Sequence, residues 1–319
     1  MSDGLFQLES ILAPELDARP APVASGDDEL NEVAEWFRRN KGLRETFGAI
    51  LRQSIDEVLD GQRTGRYDIE QAEKTEKTYL GTKVEIVIRA AFELPRGKRM
   101  DYAIEGHEVD SKFSMRGSWS IPGEAVGHLC LLTSANDRKG TFDAGLIRIT
   151  PEVLNAGLNQ DKKTTITSAA KGRIVWLAEQ GSLPGNLLLS LSTTQVESIM
   201  GSSSGQERID RLLRSVQKRI IDRNTAVTVA RQADGLKRCR DARRRLAGEG
   251  IVVLGHQKQS PEVARSLGLP VPAKGTFLSV RLARVDAGTV DRPTVTLSEG
   301  VYAVARSEEP PVQAPTIAY

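Results

Sequence analysis

Several absences narrow this 319-residue chain before any motif is considered. There are two cysteines, Cys130 and Cys239, far apart, so neither a disulfide framework nor a cysteine-based zinc finger is available. Histidine occurs three times, at 107, 128 and 256, too scattered for an all-histidine metal site. Apolar runs such as Leu187–Leu189 and Ile251–Leu254 fall far short of the roughly 20 residues that span a bilayer. Met1-Ser-Asp-Gly has neither a basic n-region nor an apolar h-region, so a cytoplasmic protein is expected. No repeat is visible. Gly201-Ser-Ser-Ser-Gly205 is not followed by Lys-Ser/Thr, which rules out a P-loop. Val58-Leu-Asp-Gly61 has the frame of a Lys-x-Asp-Gly adenylation motif, but Val58 replaces the nucleophilic amine, so AMP transfer is excluded.

What is present suits a globular protein of two domains, with 39% apolar and 27% charged residues. The net charge of +2 conceals an uneven distribution. Residues 186–319 carry 20 basic against 13 acidic side chains, and residues 1–185 carry 24 against 29. Such asymmetry points to a nucleic-acid partner for the basic half. Along the chain, 1–29 reads as a flexible lead-in and 30–177 as an α/β domain. Apolar spacing predicts two amphipathic helices up to Leu59 and a third over Glu70–Arg89. A hairpin turning at Gly106 comes next, with strands at Gly127–Ser134 and Ala144–Thr150 and a helix around Thr165–Leu177. Residues 178–185, containing Gly181, Pro184 and Gly185, are the expected linker. Beyond it, 186–319 reads as a winged helix: a strand-like Asn186–Ser192, helices at Thr194–Met200, Arg208–Arg223, Asn224–Gln232 and Asp234–Leu246, then strands at Ile251–Leu254, Thr276–Val285 and Val295–Val304.

The chemistry concentrates in Met100-Asp-Tyr-Ala-Ile-Glu-Gly-His-Glu-Val-Asp-Ser-Lys112. Strand alternation puts Asp110 and Lys112 on one face, and the hairpin brings Asp101 opposite Asp110. Two carboxylates can bind Mg²⁺ through oxygen while leaving room for water and phosphate. A nearby ammonium can stabilise charge building on phosphorus. Glu85 is placed to add a third carboxylate. In the basic half, Arg208 to Arg245 contains 13 basic and 4 acidic residues, and a plain solvated helix would mix the signs. Lys237, Arg238, Arg240, Arg243, Arg244 and Arg245 on one helix therefore form a candidate phosphate surface, as do Arg63 and Arg66 after Asp60-Gly61.

Asp101 with Asp110-Ser-Lys112 resembles the PD-(D/E)xK nuclease signature. The runs Asp60-Gly-Gln-Arg-Thr-Gly-Arg66, Lys74-Thr-Glu-Lys-Thr78, Val84-Glu-Ile86, Val109-Asp-Ser-Lys-Phe-Ser-Met115, Gly127-His-Leu-Cys-Leu131, Gly250-Ile-Val-Val-Leu-Gly-His-Gln257 and Leu267-Gly-Leu-Pro-Val-Pro272 resemble, in collinear order from about residue 30, the NaeI-type (type IIE) restriction endonucleases. The resemblance implies a homodimer that cuts duplex DNA with Mg²⁺. It further implies binding of two copies of the palindrome GCCGGC, one cleaved and one acting as effector. It implies a PD-(D/E)xK nuclease domain joined to a winged-helix domain like that of the catabolite activator protein. The family's catalytic positions fall on Glu85, Asp101, Asp110 and Lys112, the three acids serving as metal ligands or water-positioners and Lys112 stabilising charge. The chain departs from the family pattern around Ala135–Phe142, Asn155–Thr164 and the basic helices beyond Asp234. Two rival readings are a repair or mobile-element nuclease on the same scaffold and a winged-helix regulator without catalysis.

Overall fold

The computed structural model describes residues 26–319. Of the expected lead-in 1–29, residues up to 25 lie outside the described residues, and helix begins at Asp28. The chain forms two compact units. One comprises 26–59 and Asp68–Asn186, the other Asp60–Tyr67 and Leu187–Tyr319. The short segment Asp60–Tyr67, which lies within the span assigned by sequence to the first domain, thus belongs to the second unit.

The helices of the first unit are α1 (Asp28–Arg38), α2 (Leu43–Leu59) and α4 (Lys74–Ala91), whereas α3 (Gly61–Thr64) belongs to the second. Asp27 caps α1, its carboxylate accepting from the Leu30 amide at 3.0 Å. Leu30, Val33, Ala34 and Phe37 then form one buried stripe at helical spacing. Phe37, Phe47 and Phe92 meet edge-on or tilted with centroids 5.2–5.8 Å apart, which fixes α1 against α2 and the end of α4. Asp60 stops α2 by adopting a left-handed conformation, φ 46°.

These helices cover one face of a five-stranded mixed sheet. Its strands are β1 (Tyr102–Ile104), β2 (His107–Ser114), β4 (Leu129–Asn136), β5 (Thr141–Arg148) and β7 (Val175–Ser182), in the order β1-β2-β4-β5-β7. Only β2 and β4 run parallel. Alternation divides the sheet cleanly. Val109, Leu129, Leu131 and Leu146 face the helical core, while Cys130, Leu132 and Ile147 face a smaller cluster with Trp119 and Ile121. The two-residue strands β3 (Ser120–Ile121) and β6 (Thr164–Thr165) pair beneath that second face.

The helix expected around Thr165–Leu177 is absent. That stretch contains β6, a 3₁₀ turn at Ala169–Arg173 and the start of β7. Ile174, Val175 and Trp176 favour an extended backbone, and β5 offers them a pairing edge, with Gly145 opposite Trp176. β7 also runs into the expected linker as far as Ser182, where Gly181 lies against Phe142: a Cβ there would sit 2.4 Å from the ring.

The second unit has α5 (Thr193–Met200), α6 (Gly205–Ser215), α7 (Arg223–Ala230), α8 (Gly235–Leu246) and α9 (Ser260–Ser266). Its strands are β8 (Ile220–Ile221), β9 (Ile251–Leu254), β10 (Phe277–Val285), β11 (Thr294–Leu297) and β12 (Gly300–Val304). β10 is central, antiparallel to β8, β9 and β12. Ile209, Leu212, Val229, Cys239, Leu246 and Val253 close the core over it. The expected helix Arg208–Arg223 ends at Ser215 because Ile220 and Ile221 pair with β10, and the expected strand at Asn186–Ser192 is a 3₁₀ turn that buries Leu187 and Leu188. Both units are mixed α/β.

Candidate active site

The β1–β2 hairpin pairs Tyr102 with Val109, which leaves Asp101 at its open end beside Asp110 and Ser111. The Asp101 carboxylate accepts from the Ser111 backbone amide at 2.7 Å, fixing its direction. On the opposite side of β2 from Val109, the Lys112 ammonium lies 2.6 Å from Asp110 Oδ2 and donates to the Ser111 carbonyl at 3.1 Å. Asp110 is buried, at 7% exposure. Burial pushes its carboxyl above the usual range, with Asp101 adding to the effect and Lys112 opposing it. For Lys112 burial works against the ammonium, but Asp110 and Asp101 prevail and raise it. The Cys130 thiol, in register with Asp110 on β4, approaches Oδ2 at 4.0 Å, and burial pushes it well above the usual thiol range.

Glu85 comes from α4, which packs on β2. Burial, then the Asp101 charge, raise its carboxyl against the pull of Arg89 and Lys112, so all four groups share one electrostatic neighbourhood. Arg89, one turn on, donates to Glu85 Oε1 at 3.2 Å. The fully buried Tyr102 donates its hydroxyl to the Glu85 carbonyl at 2.9 Å, tying α4 to the hairpin. Sequence reasoning missed Tyr102, Arg89 and Cys130. The i, i+4 spacing of Glu85 and Arg89 could have revealed that pair. Among the described residues, no group of three or more His, Cys, Asp or Glu side chains is gathered to hold a metal ion.

Comparison with known proteins concerns the chain as a whole. The family model described as "Restriction endonuclease NaeI" matches residues 31–313. The type II restriction enzyme NaeI of Lentzea aerocolonigenes is 38% identical over 309 residues, covering 93% of this chain and 97% of that protein. The chain belongs to the NaeI restriction endonuclease family. It is thus a type II restriction endonuclease, and DNA is its substrate.

For a NaeI-family chain the basic side chains of the second unit matter next, and they are not equivalent. On α8, Lys237, Arg240 and Arg244 lie along one exposed stripe. Lys237 has a loose partner in Asp241 at 3.7 Å, while Arg240 and Arg244 have no acidic partner among the described residues. Arg238 is engaged with Asp234 at 3.1 Å and Arg245 with the buried Asp210 at 2.5 Å. Arg243 does not share that surface. It donates to the Val253 carbonyl at 3.0 Å and lies over the Tyr319 ring at 3.7 Å, and burial lowers its guanidinium. The inward turn follows from its place on the α8 face that packs on β9. Arg63 is exposed and paired with Asp60 at 3.0 Å, and Arg66 is half-buried. Both belong to the α3 segment, which packs on α7 within the second unit. Among the described residues no helix is long and apolar enough to cross a membrane.

Proposed function

We propose that this restriction endonuclease hydrolyses duplex DNA with Mg²⁺ at the cluster of Asp101, Asp110, Lys112 and Glu85, on a core of PD-(D/E)xK type. The observation that carries the reading is the buried Asp110 paired with Lys112 at 2.6 Å, beside an Asp101 whose carboxylate is fixed by a backbone amide. A buried carboxylate pushed up by desolvation and a like charge is one that a dication would hold ionised. Mg²⁺ needs only one or two protein carboxylates, the rest being water and phosphate oxygens, so Asp101 and Asp110 fit it, and Glu85 stands outside that pair. When bound, the ion supplies Lewis acidity toward the phosphoryl oxygen and its water. Asp101 and Asp110 would hold it, Lys112 would stabilise negative charge building on the scissile phosphate, and Glu85 would position water.

The second unit is proposed to hold effector DNA as a winged helix. The succession α6, β8, α7, α8, β9, β10, with β10 between β8 and β9, supports this, as does the exposed basic stripe on α8. The target proposed is GCCGGC in two copies, bound by a homodimer in the cytoplasm; arginine forks suit a G·C-rich site. Plasmid cleavage with Mg²⁺ tests the catalytic reading. Asp110→Ala and Lys112→Ala should each slow cutting by at least about a hundredfold. Cutting at the wild-type rate by either variant would remove the site assignment, and a digest without discrete bands would remove sequence specificity. A short cognate duplex should speed cutting of single-site DNA, and no stimulation would reject the effector reading.

A further inference from the structure

The strand that carries Asp110 and Lys112 leads directly into Ser114–Trp119, a loop with an unusual amount of bracing. Ser114 Oγ accepts from the amides of both Arg116, at 3.2 Å, and Ser118, at 3.1 Å. Lys171 donates to the Gly117 carbonyl at 3.0 Å and lies over the Trp119 ring at 5.8 Å. Trp119 is buried, and its indole donates to the Thr133 carbonyl at 2.7 Å. Gly117 takes the left-handed turn, φ 64°. Three hydrogen bonds to its backbone and the buried Trp119 therefore fix a tip whose one charged side chain, Arg116, is exposed. No close ion pair is described for that guanidinium, which from a distance adds to Lys77 in lowering the Glu70 carboxyl, whereas many other arginines of the first unit have one.

The direction of the loop is equally informative. Alternation puts Ser114 on the same face of β2 as Asp110 and Lys112. Trp119 and Ile121 then pack with Cys130 and Leu132, the β4 residues in register with Asp110 and Lys112. The loop thus folds back across the face that bears the catalytic cluster. Arg116 is four residues beyond Lys112, so their Cα atoms are at most about 14 Å apart. Half of a six-base-pair site spans about 10 Å at 3.4 Å per step. With its Cα no more than about 14 Å from that of Lys112, a long side chain on this face can reach the duplex beside the bond being cut.

We infer that Arg116 contacts the substrate duplex and helps to select the site that is cut. A fixed backbone lets its guanidinium fork engage two acceptors at small entropic cost. Those acceptors are either guanine O6 and N7 in the major groove or paired phosphate oxygens. The inference rests on reading the Asp101–Asp110–Lys112 face as the place of cutting.

The test is steady-state cleavage of a cognate duplex with Mg²⁺, together with a panel of singly substituted sites, for wild type, Arg116→Ala, Arg116→Lys and Ser114→Ala, with Tm recorded for each. Arg116→Ala should lower kcat/KM about ten- to a hundredfold at unchanged Tm. If a guanine is read, Arg116→Lys does not recover the loss, and discrimination relaxes at one position. If phosphate is held, Arg116→Lys recovers most of the loss, and Arg116→Ala makes the salt slope shallower by about one. Ser114→Ala, which keeps the guanidinium and loosens its brace, should give a smaller loss in the same parameter. Wild-type kinetics, site preference and salt slope in Arg116→Ala would overturn the inference while leaving the catalytic cluster intact. A wild-type protein that fails to cut with Mg²⁺, or an Asp110→Ala variant that cuts normally, would remove the underlying reading as well.

Discussion

Tyr102 carries two tasks at one position. Its ring is fully buried in the hairpin, and its hydroxyl holds the main chain of α4 at Glu85. Burial, with the nearby Glu85 and Asp101 charges, raises the phenol well above its ordinary value, so it remains a donor throughout the working pH range. Tyr102→Phe should cost about 1 kcal/mol in urea unfolding, the worth of one hydrogen bond. Cleavage should fall several-fold through the looser Glu85, without a change in the discrete banding. An unchanged rate would mean that α4 is held by packing alone. Glu309 makes a different kind of prediction. It accepts from Arg292 through both oxygens and from the Arg306 amide at 2.7 Å, and these bonds depress its carboxyl to about 2 from the ordinary 4.5. A depressed carboxylate adds stability that is fully present above about pH 4.5 and is lost as pH falls toward 2. The stability gap between wild type and Glu309→Gln should therefore be constant from pH 7 to 5 and shrink steadily below that. A gap independent of pH would show that the Glu309 carboxyl is not depressed in the folded protein.

At the scale of elements, α3 shows how little chain is needed to join a segment to a distant fold. Gly61 and Gly65 allow its close approach to α7: a Cβ on Gly61 would sit 2.2 Å from Thr228 Oγ1, and one on Gly65 2.3 Å from Arg231 Nε. Gly65 is also left-handed, φ 73°. Gly65→Ala combines strain with a steric clash and should destabilise the second unit by about 1–3 kcal/mol, visible as a lower Tm for that unit's transition. Stability equal to wild type would mean that α3 detaches at little cost. Sequence reading could not have placed this segment, because Asp60-Gly61 carries only a local stop signal and its partner Thr228 lies in the other half of the chain. The β1–β2 hairpin was more legible. Strand alternation and a glycine turn are local facts, and they bring Asp101, Asp110 and Lys112 together without reference to the rest of the fold. Glu85 could be named from the sequence as a nearby carboxylate, but the bond by which Tyr102 ties its helix to the hairpin is a tertiary fact. β7 was misread because Ala169, Ala170 and Lys171 favour helix, whereas the pairing edge of β5 imposes strand from Val175 onward. α9 went unnoticed because seven residues show too little periodicity. Arg243 looked like its basic neighbours until the C-terminal Tyr319 was seen to cover it.

For the whole molecule, near-neutrality is the sum of two opposed distributions, acidic up to residue 185 and basic beyond it. Much of the basic excess is internally engaged. Arg208 donates to the carbonyls of Val229, Ala230 and Ser202, each at 2.6 Å, and so closes the end of α7. Arg214 is spent on Glu249, and Arg281 on the carbonyls of Glu309 and Arg306. Counting charges therefore overstates what is available to phosphate, and the exposed stripe of Lys237, Arg240 and Arg244 on α8 is the better measure. Each phosphate contact releases condensed counterions, so log K against log salt has a slope of about −0.9 per contact. Replacing Arg240 and Arg244 together by Ala should make the slope for effector-duplex binding shallower by about two, while Arg243→Ala should leave the slope unchanged and lower Tm instead. The two variants separate surface from structure within one helix. If Arg243→Ala alone changed the slope, α8 would have to present a different face to DNA, with Tyr319 displaced from the guanidinium it now covers.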